Sequence, residues 1–203
     1  MITLLDYGLG NIEAFVNIYK RLNFPVAVAS TADQLANAEK IILPGVGSFD
    51  WAMARLEESG MRHCLDDLVR VKKRPVLGVC VGMQIMANGS EEGKLPGLGW
   101  IDAEVKRFEA GGFSQQTHLP HMGWNDVSPR DTECLFKGIN TPRFYFLHSY
   151  YFAPAKADDV GGVTDYNGYF ASAVRSGNVF GTQFHPEKSH QWGISLLKNF
   201  AEL

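Results

Sequence analysis

Arg74-Pro75-Val76-Leu77-Gly78-Val79-Cys80-Val81-Gly82-Met83-Gln84 is the stretch that decides the fold. Pro75 opens a short apolar strand, and a helix-compatible run from Val81 to Ala87 follows the cysteine directly. Glycines stand two residues before and two residues after Cys80. This is the cysteine form of the nucleophile elbow, a tight strand-to-helix turn that exposes a reactive side chain. A side chain at either glycine position would crowd the facing backbone. A helix starting at the sulfur would place its positive end there and favour the thiolate.

Working outward, the first half alternates short aliphatic runs with longer amphipathic ones. Ile2-Thr3-Leu4-Leu5, Val26-Ala27-Val28-Ala29 and Lys40-Ile41-Ile42-Leu43 read as strands, with Val76-Leu77-Gly78-Val79 the next. Helical patterns lie between them over Asn11–Leu22, Asp50–Glu58 and Met61–Val71. Such alternation predicts an α/β fold whose mostly parallel sheet is covered by helices on both faces. The second half is richer in strands, with candidates over Glu104–Phe108, Phe144–Leu147, Tyr169–Val174 and Val179–Gln183. A last helix is expected from His190 to Leu203, with Ile194, Leu197 and Phe200 on one face. Ala110-Gly111-Gly112-Phe113-Ser114 reads as a surface turn. In open α/β sheets the ligand crevice lies beyond the carboxyl ends of the strands, which is where the elbow puts Cys80.

Composition narrows the function classes. The 203 residues suit one sizeable domain, 1–203, with no linker or repeat. A net charge of -3 gives no reason to expect nucleic acid or an anionic membrane as partner. Lys72-Lys73-Arg74, a basic cluster, suits the end of a helix. The N-terminus lacks a basic, then apolar, leader, and no run reaches membrane-spanning length. Cys64, Cys80 and Cys134 are odd in number and far apart, which fits a reducing cytoplasm rather than a disulfide framework or zinc site.

The second half of the chemistry lies far downstream, in Gln183-Phe184-His185-Pro186-Glu187-Lys188. Pro186 biases His185 toward an extended conformation, and alternation along an extended segment puts His185 and Glu187 on one side. A histidine held by a carboxylate is the base-plus-orienter pair that a thiol nucleophile requires. The N–H of Val81, just past the nucleophile, is placed to stabilise an oxyanion.

Together these residues resemble the class I (triad) glutamine amidotransferases. The likeness runs almost end to end, through Asp6-Tyr7-Gly8-Leu9-Gly10-Asn11, Pro44-Gly45-Val46-Gly47-Ser48-Phe49, the Cys80 stretch and Ser90-Glu91-Glu92-Gly93. It continues through Pro120-His121-Met122-Gly123-Trp124-Asn125, His148-Ser149-Tyr150 and Gln183 to Ser189. The resemblance implies the family's flavodoxin-like sheet with extra antiparallel strands in the second half. It also implies hydrolysis of glutamine to glutamate and ammonia by Cys80, His185 and Glu187, without cofactor or metal. It implies an oxyanion hole shared between Val81 and the Val46-Gly47 segment, and a glutamine pocket at Gln84, Glu92 and the backbone of His148, Ser149 and Tyr150. Within the family the likeness is to the branch serving histidine biosynthesis. That implies a heterodimer with a HisF-type cyclase, contacted through Asn11, Trp124, Tyr145 and Lys188.

Two further readings stand beside this one. Val81 replaces the more usual leucine, and Leu98-Gly99-Trp100-Ile101-Asp102 looks like paralogues that supply ammonia to acetamido-sugar amidotransferases of surface polysaccharide synthesis. A free-standing Cys-His-Glu hydrolase would use the same triad without a partner. Gly8-Leu9-Gly10 lacks the third glycine of a dinucleotide loop, Glu13 standing there, and reads as a strand-to-helix turn. His118-x-x-His121 lacks a third metal ligand. Cys64 and Cys134 read as inert, and His63, His118 and His190 as surface residues. Tyr150 and Tyr151 suit a core as well as a pocket wall, and Asn11 suits an N-cap as well as an interface.

Overall fold

Strands buried on both faces need no alternation of apolar and polar residues, and the first half of this chain shows none where its sheet forms. In the computed structural model, which describes residues 1–109 and 118–203, β1 (Ile2–Leu5), β2 (Val26–Ala29), β3 (Lys40–Gly45) and β4 (Val76–Cys80) are parallel. Every residue of β1 and β4 is buried. Between them run α1 (Ile12–Arg21), α2 (Ala32–Leu35), α3 (Phe49–Glu58) and α4 (Arg62–Asp66), and α5 (Val81–Gln84) follows β4. The Asn11 side chain caps α1, accepting from the Ala14 N–H at 3.2 Å.

The second half supplies β5 (Gly89–Ser90), β6 (Ala103–Arg107), β7 (His121–Asp126), β8 (Ser128–Pro129), β9 (Arg143–His148), β10 (Tyr150–Pro154), β11 (Val160–Asp165), β12 (Tyr169–Ser176) and β13 (Val179–Thr182). The chain closes with α6 (His190–Glu202). Among the described residues the main sheet runs β2-β1-β3-β4-β13-β12-β10-β6-β5, with β11 and β8 attached to β12. β13 returns parallel to β4, and from there outward β12, β10 and β6 pair antiparallel. β7 and β9 form a separate antiparallel ribbon. The expected α/β sheet with an antiparallel extension is therefore present.

Several local expectations change. The helix after Cys80 is a single turn, α5, because the carbonyls that would continue it are taken by a crossing loop. Ile85, Met86 and Ala87 accept from the N–H groups of Leu98, Trp100 and Gly99 at 2.7, 2.9 and 3.0 Å. The helix expected over 61–71 breaks at Asp67 into a wider π turn, Asp67–Val71. Strands β7, β10 and β11 carry glycines, an Asn-Asp pair or a terminal proline and gave no strand pattern of their own; pairing with β9, β6 and β12 makes them strands. In α6 the buried face is Gly193, Leu196, Leu197 and Phe200, while Ile194 is half-buried. The turn expected over 110–114 lies outside the described residues.

The elbow is packed tightly against β3. A Cβ on Gly82 would lie 1.9 Å from the Leu43 carbonyl oxygen, and one on Gly78 would lie 2.6 Å from the Gly82 carbonyl oxygen. Both glycines are required for want of space. Gly82→Ala is therefore expected to cost about 3 kcal/mol or more and to lower Tm by roughly 10 °C. Gly161→Ala, where the added carbon meets nothing closer than 3.6 Å, should leave Tm within about 2 °C. Thermal melts of the two variants beside the unmodified chain check this.

Candidate active site

Cys80 ends β4 in a backbone conformation that L-residues avoid, with φ 55° and ψ −112°. Holding it there costs about 1–3 kcal/mol, met by the β3 and β13 pairings on either side of β4. The strain turns the side chain out of the sheet and into a cleft of about 310 Å³. Because α5 is one turn long, it has no macrodipole of consequence, and the expected helix-end effect on the sulfur is corrected accordingly. What stands around the sulfur instead is a set of individual donors.

His185 is the first of these. It is 3% exposed and lines the same cleft as Cys80. Its Nδ1 lies 2.9 Å from Glu187 Oε1, so Nδ1–H donates to the carboxylate and Nε2 is left for the sulfur. The Glu187 side chain is 3% exposed, and its Oε2 has no hydrogen-bond partner among the described residues. The pair meets differently from the alternation expected of an extended segment. Pro186–Lys188 is a turn of 3₁₀ helix, opened by Pro186 in its preset conformation, and Glu187 reaches back to His185 from within it. Ser189 Oγ fastens the turn, donating to the His185 carbonyl at 2.6 Å and accepting from the Tyr145 N–H at 3.0 Å. Burial alone would lower the His185 pKa. Hydrogen bonds and charge from Cys80 and Glu187 outweigh it and push the value up to about 10.

The cleft brings together Cys80, His185, Val81, Val46, Gly47, Gln84, Glu92, His148, Ser149, Tyr150 and Lys188, so the expected nucleophile, base, oxyanion and pocket residues share one site, with Glu187 bonded to His185 but outside the lining. Val46 is exposed at the rim, and Gly47 has φ +90°. Glu92 accepts from the Phe49 N–H at 2.9 Å through Oε2, capping the start of α3. Gln84 donates from Nε2 to the Tyr150 carbonyl at 3.2 Å and to Gln183 Oε1 at 3.1 Å. Tyr150 thus belongs to the pocket wall. Tyr151 faces a separate hollow, away from Cys80.

The His148 ring is not free to meet a ligand. Its Nδ1–H donates to the Tyr150 carbonyl at 2.8 Å, which leaves Nε2 to accept from His121 Nδ1–H at 2.9 Å. Burial lowers the His148 pKa to about 3, with help from the neighbouring His121, and lowers that of His121 to about 4. Both rings are neutral at ordinary pH. The residues expected at an interface cluster in part: the Trp124 and Tyr145 rings sit 6.3 Å apart, and Lys188 Nζ lies 5.9 Å from the centre of the Tyr145 ring. His190, exposed as expected, stacks on Trp124 at 5.2 Å. Asn11 is exposed at the start of α1, whose body packs against the 186–188 turn.

Two residues were passed over by sequence reasoning. Tyr7 is buried, and its hydroxyl donates to the Pro44 carbonyl at 2.6 Å, bracing the segment that leads to Val46. Burial and the charge at Cys80 raise its pKa. Gln183 is fully buried and points Nε2 at Cys80 Sγ, 3.8 Å away. For Gln183 the signal was its place two residues before His185. For Tyr7 there was none, since only folding brings residue 7 to residue 44. Cys64 and Cys134 are half-buried, and burial raises the pKa of each, in keeping with inert thiols.

A family model, "Glutamine amidotransferase class-I", matches residues 3–203. The imidazole glycerol phosphate synthase subunit HisH of Bdellovibrio bacteriovorus is 57% identical, with all of both chains covered. The protein of the same name from Leptospira interrogans is 53% identical, again over all of both chains. Among solved structures, a glutamine amidotransferase superposes with a TM-score of 0.74 at 20% identity, covering 99% of this chain and 97% of that one.

The His185 ring provides a direct check on the electrostatics. An NMR titration of its ring nitrogens should give a midpoint near pH 10 in the unmodified protein. In Glu187→Gln the midpoint should fall, because the variant removes a charge and an acceptor that hold the proton on. An unmoved midpoint would mean that Glu187 is not what orients and charges the ring.

Proposed function

The chain belongs to the class I glutamine amidotransferase family, and from that premise we propose that it is the glutaminase subunit of an imidazole glycerol phosphate synthase. The whole chain, 1–203, is read as one glutaminase domain in the cytoplasm. No helix among the described residues is long and apolar enough to cross a membrane. The observation that carries the reading is the assembled triad, with His185 sharing one cleft with Cys80 and hydrogen-bonded to Glu187.

The chemistry follows from that arrangement. With its proton on His185, the Cys80 sulfur attacks the side-chain amide carbon of glutamine. The C–S bond forms as the carbonyl π pair moves onto oxygen. N–H groups from Val81 and the Val46-Gly47 segment receive that oxyanion. Collapse re-forms the carbonyl and breaks the C–N bond, and His185 gives its proton to the departing ammonia. His185, now neutral, takes a proton from water, which attacks the thioester through a second oxyanion. That oxyanion collapses, the C–S bond breaks with its electron pair returning to sulfur, the new carboxyl releases its proton as glutamate leaves, and Cys80 and His185 return to their first state. Glu187 keeps the ring oriented and stabilises its charged form.

The α-amino end of glutamine would be held by the Glu92 carboxylate and the backbone at Ser149-Tyr150, with Gln84 along the side chain. The ammonia would pass to a HisF-type cyclase seated over Trp124, Tyr145 and Lys188, of which Lys188 also lines the cleft, and over Asn11 at the start of α1. Neither the sugar-amidating paralogue nor the free-standing hydrolase is favoured, because relatives matched end to end bear the synthase-subunit name.

Glutamate release from glutamine by the purified chain tests the proposal, measured alone and then with a HisF-type cyclase and its ribonucleotide substrate. Stimulation of about a hundredfold or more is expected, the scale of one oxyanion donor brought into place, and Cys80→Ala should abolish it. Full activity without the cyclase would move the chain to the free-standing hydrolases. Absence of any response to the cyclase would move it to the sugar-amidating paralogues. Glu187→Gln should lower kcat by about a hundredfold or more while KM for glutamine stays within a few-fold.

A further inference from the structure

We propose that Gln183 serves the nucleophile directly: its side-chain amide, locked in one orientation by Gln84, holds an N–H on the Cys80 sulfur and stabilises the thiolate. Gln183 is fully buried and is not part of the cleft wall, so it has no access to a glutamine bound there. Its Nε2 lies 3.8 Å from Cys80 Sγ, within reach for a donor to sulfur. Among the described residues this sulfur is the acceptor that the amide N–H meets, whereas Gln183 Oε1 is occupied by Gln84 at 3.1 Å.

The orientation of the amide follows from a chain of partners that cannot be reversed. It starts at the Tyr150 carbonyl, which can only accept. Gln84 must therefore turn Nε2 toward it, and the second hydrogen of the same nitrogen goes to Gln183. Gln183 must then present oxygen to Gln84 and nitrogen to the sulfur. The Tyr150 carbonyl is itself pinned from the other side by His148 Nδ1–H, with His121 and Asn125 behind it. Asn125 Nδ2 also donates to the Asp165 carbonyl at 3.0 Å, which fixes the far end. The two rings stay neutral at ordinary pH, so the direction of the chain persists there.

The sulfur has a competing neighbour. The Leu147 carbonyl oxygen lies 3.9 Å from Sγ and would accept from a thiol but repel a thiolate. Gln183 and His185 are the donors set against it. With no helix dipole of consequence from the short α5, these donors decide which form the sulfur takes.

The proposal rests on the catalytic reading of Cys80 given above, but its test needs no glutamine. The rate of Cys80 alkylation by iodoacetamide is followed against pH by mass spectrometry, with Cys80→Ala as blank. In Gln183→Met, which keeps the bulk and removes the donor, alkylation at neutral pH should slow about tenfold and its midpoint should move to higher pH, the loss expected for one hydrogen bond to a charged group. The isosteric Gln183→Glu should move it at least as far. In parallel, kcat for glutamine should fall about tenfold with KM within about twofold. In the unmodified protein, the Gln183 side-chain NH₂ resonances should shift on titration of Cys80, a readout independent of whether either variant folds. A profile in a folded variant that overlays the original, a rise in KM alone, or NH₂ resonances blind to Cys80 would overturn the proposal. Shifted alkylation without glutamine turnover would leave it standing and remove the glutaminase reading instead.

Discussion

The contact between the Gly82 backbone and the Leu43 carbonyl is the constraint on which the site depends. It presses the turn after β4 against the end of β3, so that strand, nucleophile and the Val46-Gly47 segment share one rigid frame. Cys80 can be held at positive φ because both neighbours of β4 pair with it along its length. Were the sheet looser at that point, the strain at residue 80 would relax and the sulfur would turn back into the core. Tyr7, just past the end of β1, adds a second brace through its hydroxyl on Pro44.

Around that frame the polar groups are arranged by the cost of burying them. Gln84, Gln183, His121 and His148 are all buried, and a buried amide or imidazole without partners is strongly unfavourable. Each is satisfied by the next, and satisfaction leaves little choice of orientation or protonation. His121 and His148 are neutral because nothing anionic compensates their burial. His185, equally enclosed, is charged because Glu187 and Cys80 flank it. Three histidines in one region thus take two protonation states for an identifiable physical reason.

The β7–β9 ribbon connects this interior to the outside. Its inner face carries His121, Phe146 and His148, and its outer face Met122, Trp124, Tyr145 and Leu147. Leu147 is exposed while its carbonyl lies beside the nucleophile, and the Tyr145 carbonyl accepts from the backbone N–H of His185 at 2.9 Å. A partner seated on the outer face would press on the same backbone that borders the sulfur and its base.

Much of this was legible in the chain. Parallel strands of a covered sheet are short apolar runs, so β1, β2, β3 and β4 could be placed from residues alone, with α1 and α3, while the four-residue α2 was not foreseen. The glycine frame around Cys80 and the His185-Pro186-Glu187 run announced a nucleophile with its base, because each demands unusual residues at short spacing. What the sequence could not carry were features made by long-range pairing. β7, β10 and β11 are strands only because β9, β6 and β12 lie beside them, and α5 is short because the 97–101 loop captures the carbonyls just beyond it. The role of Tyr7 and the pairing of His121 with His148 came from tertiary structure alone, and for Gln183 the sequence offered only its nearness to His185. A hydrogen bond's direction depends on which groups meet and which of them can only accept, and no local pattern in the sequence records that.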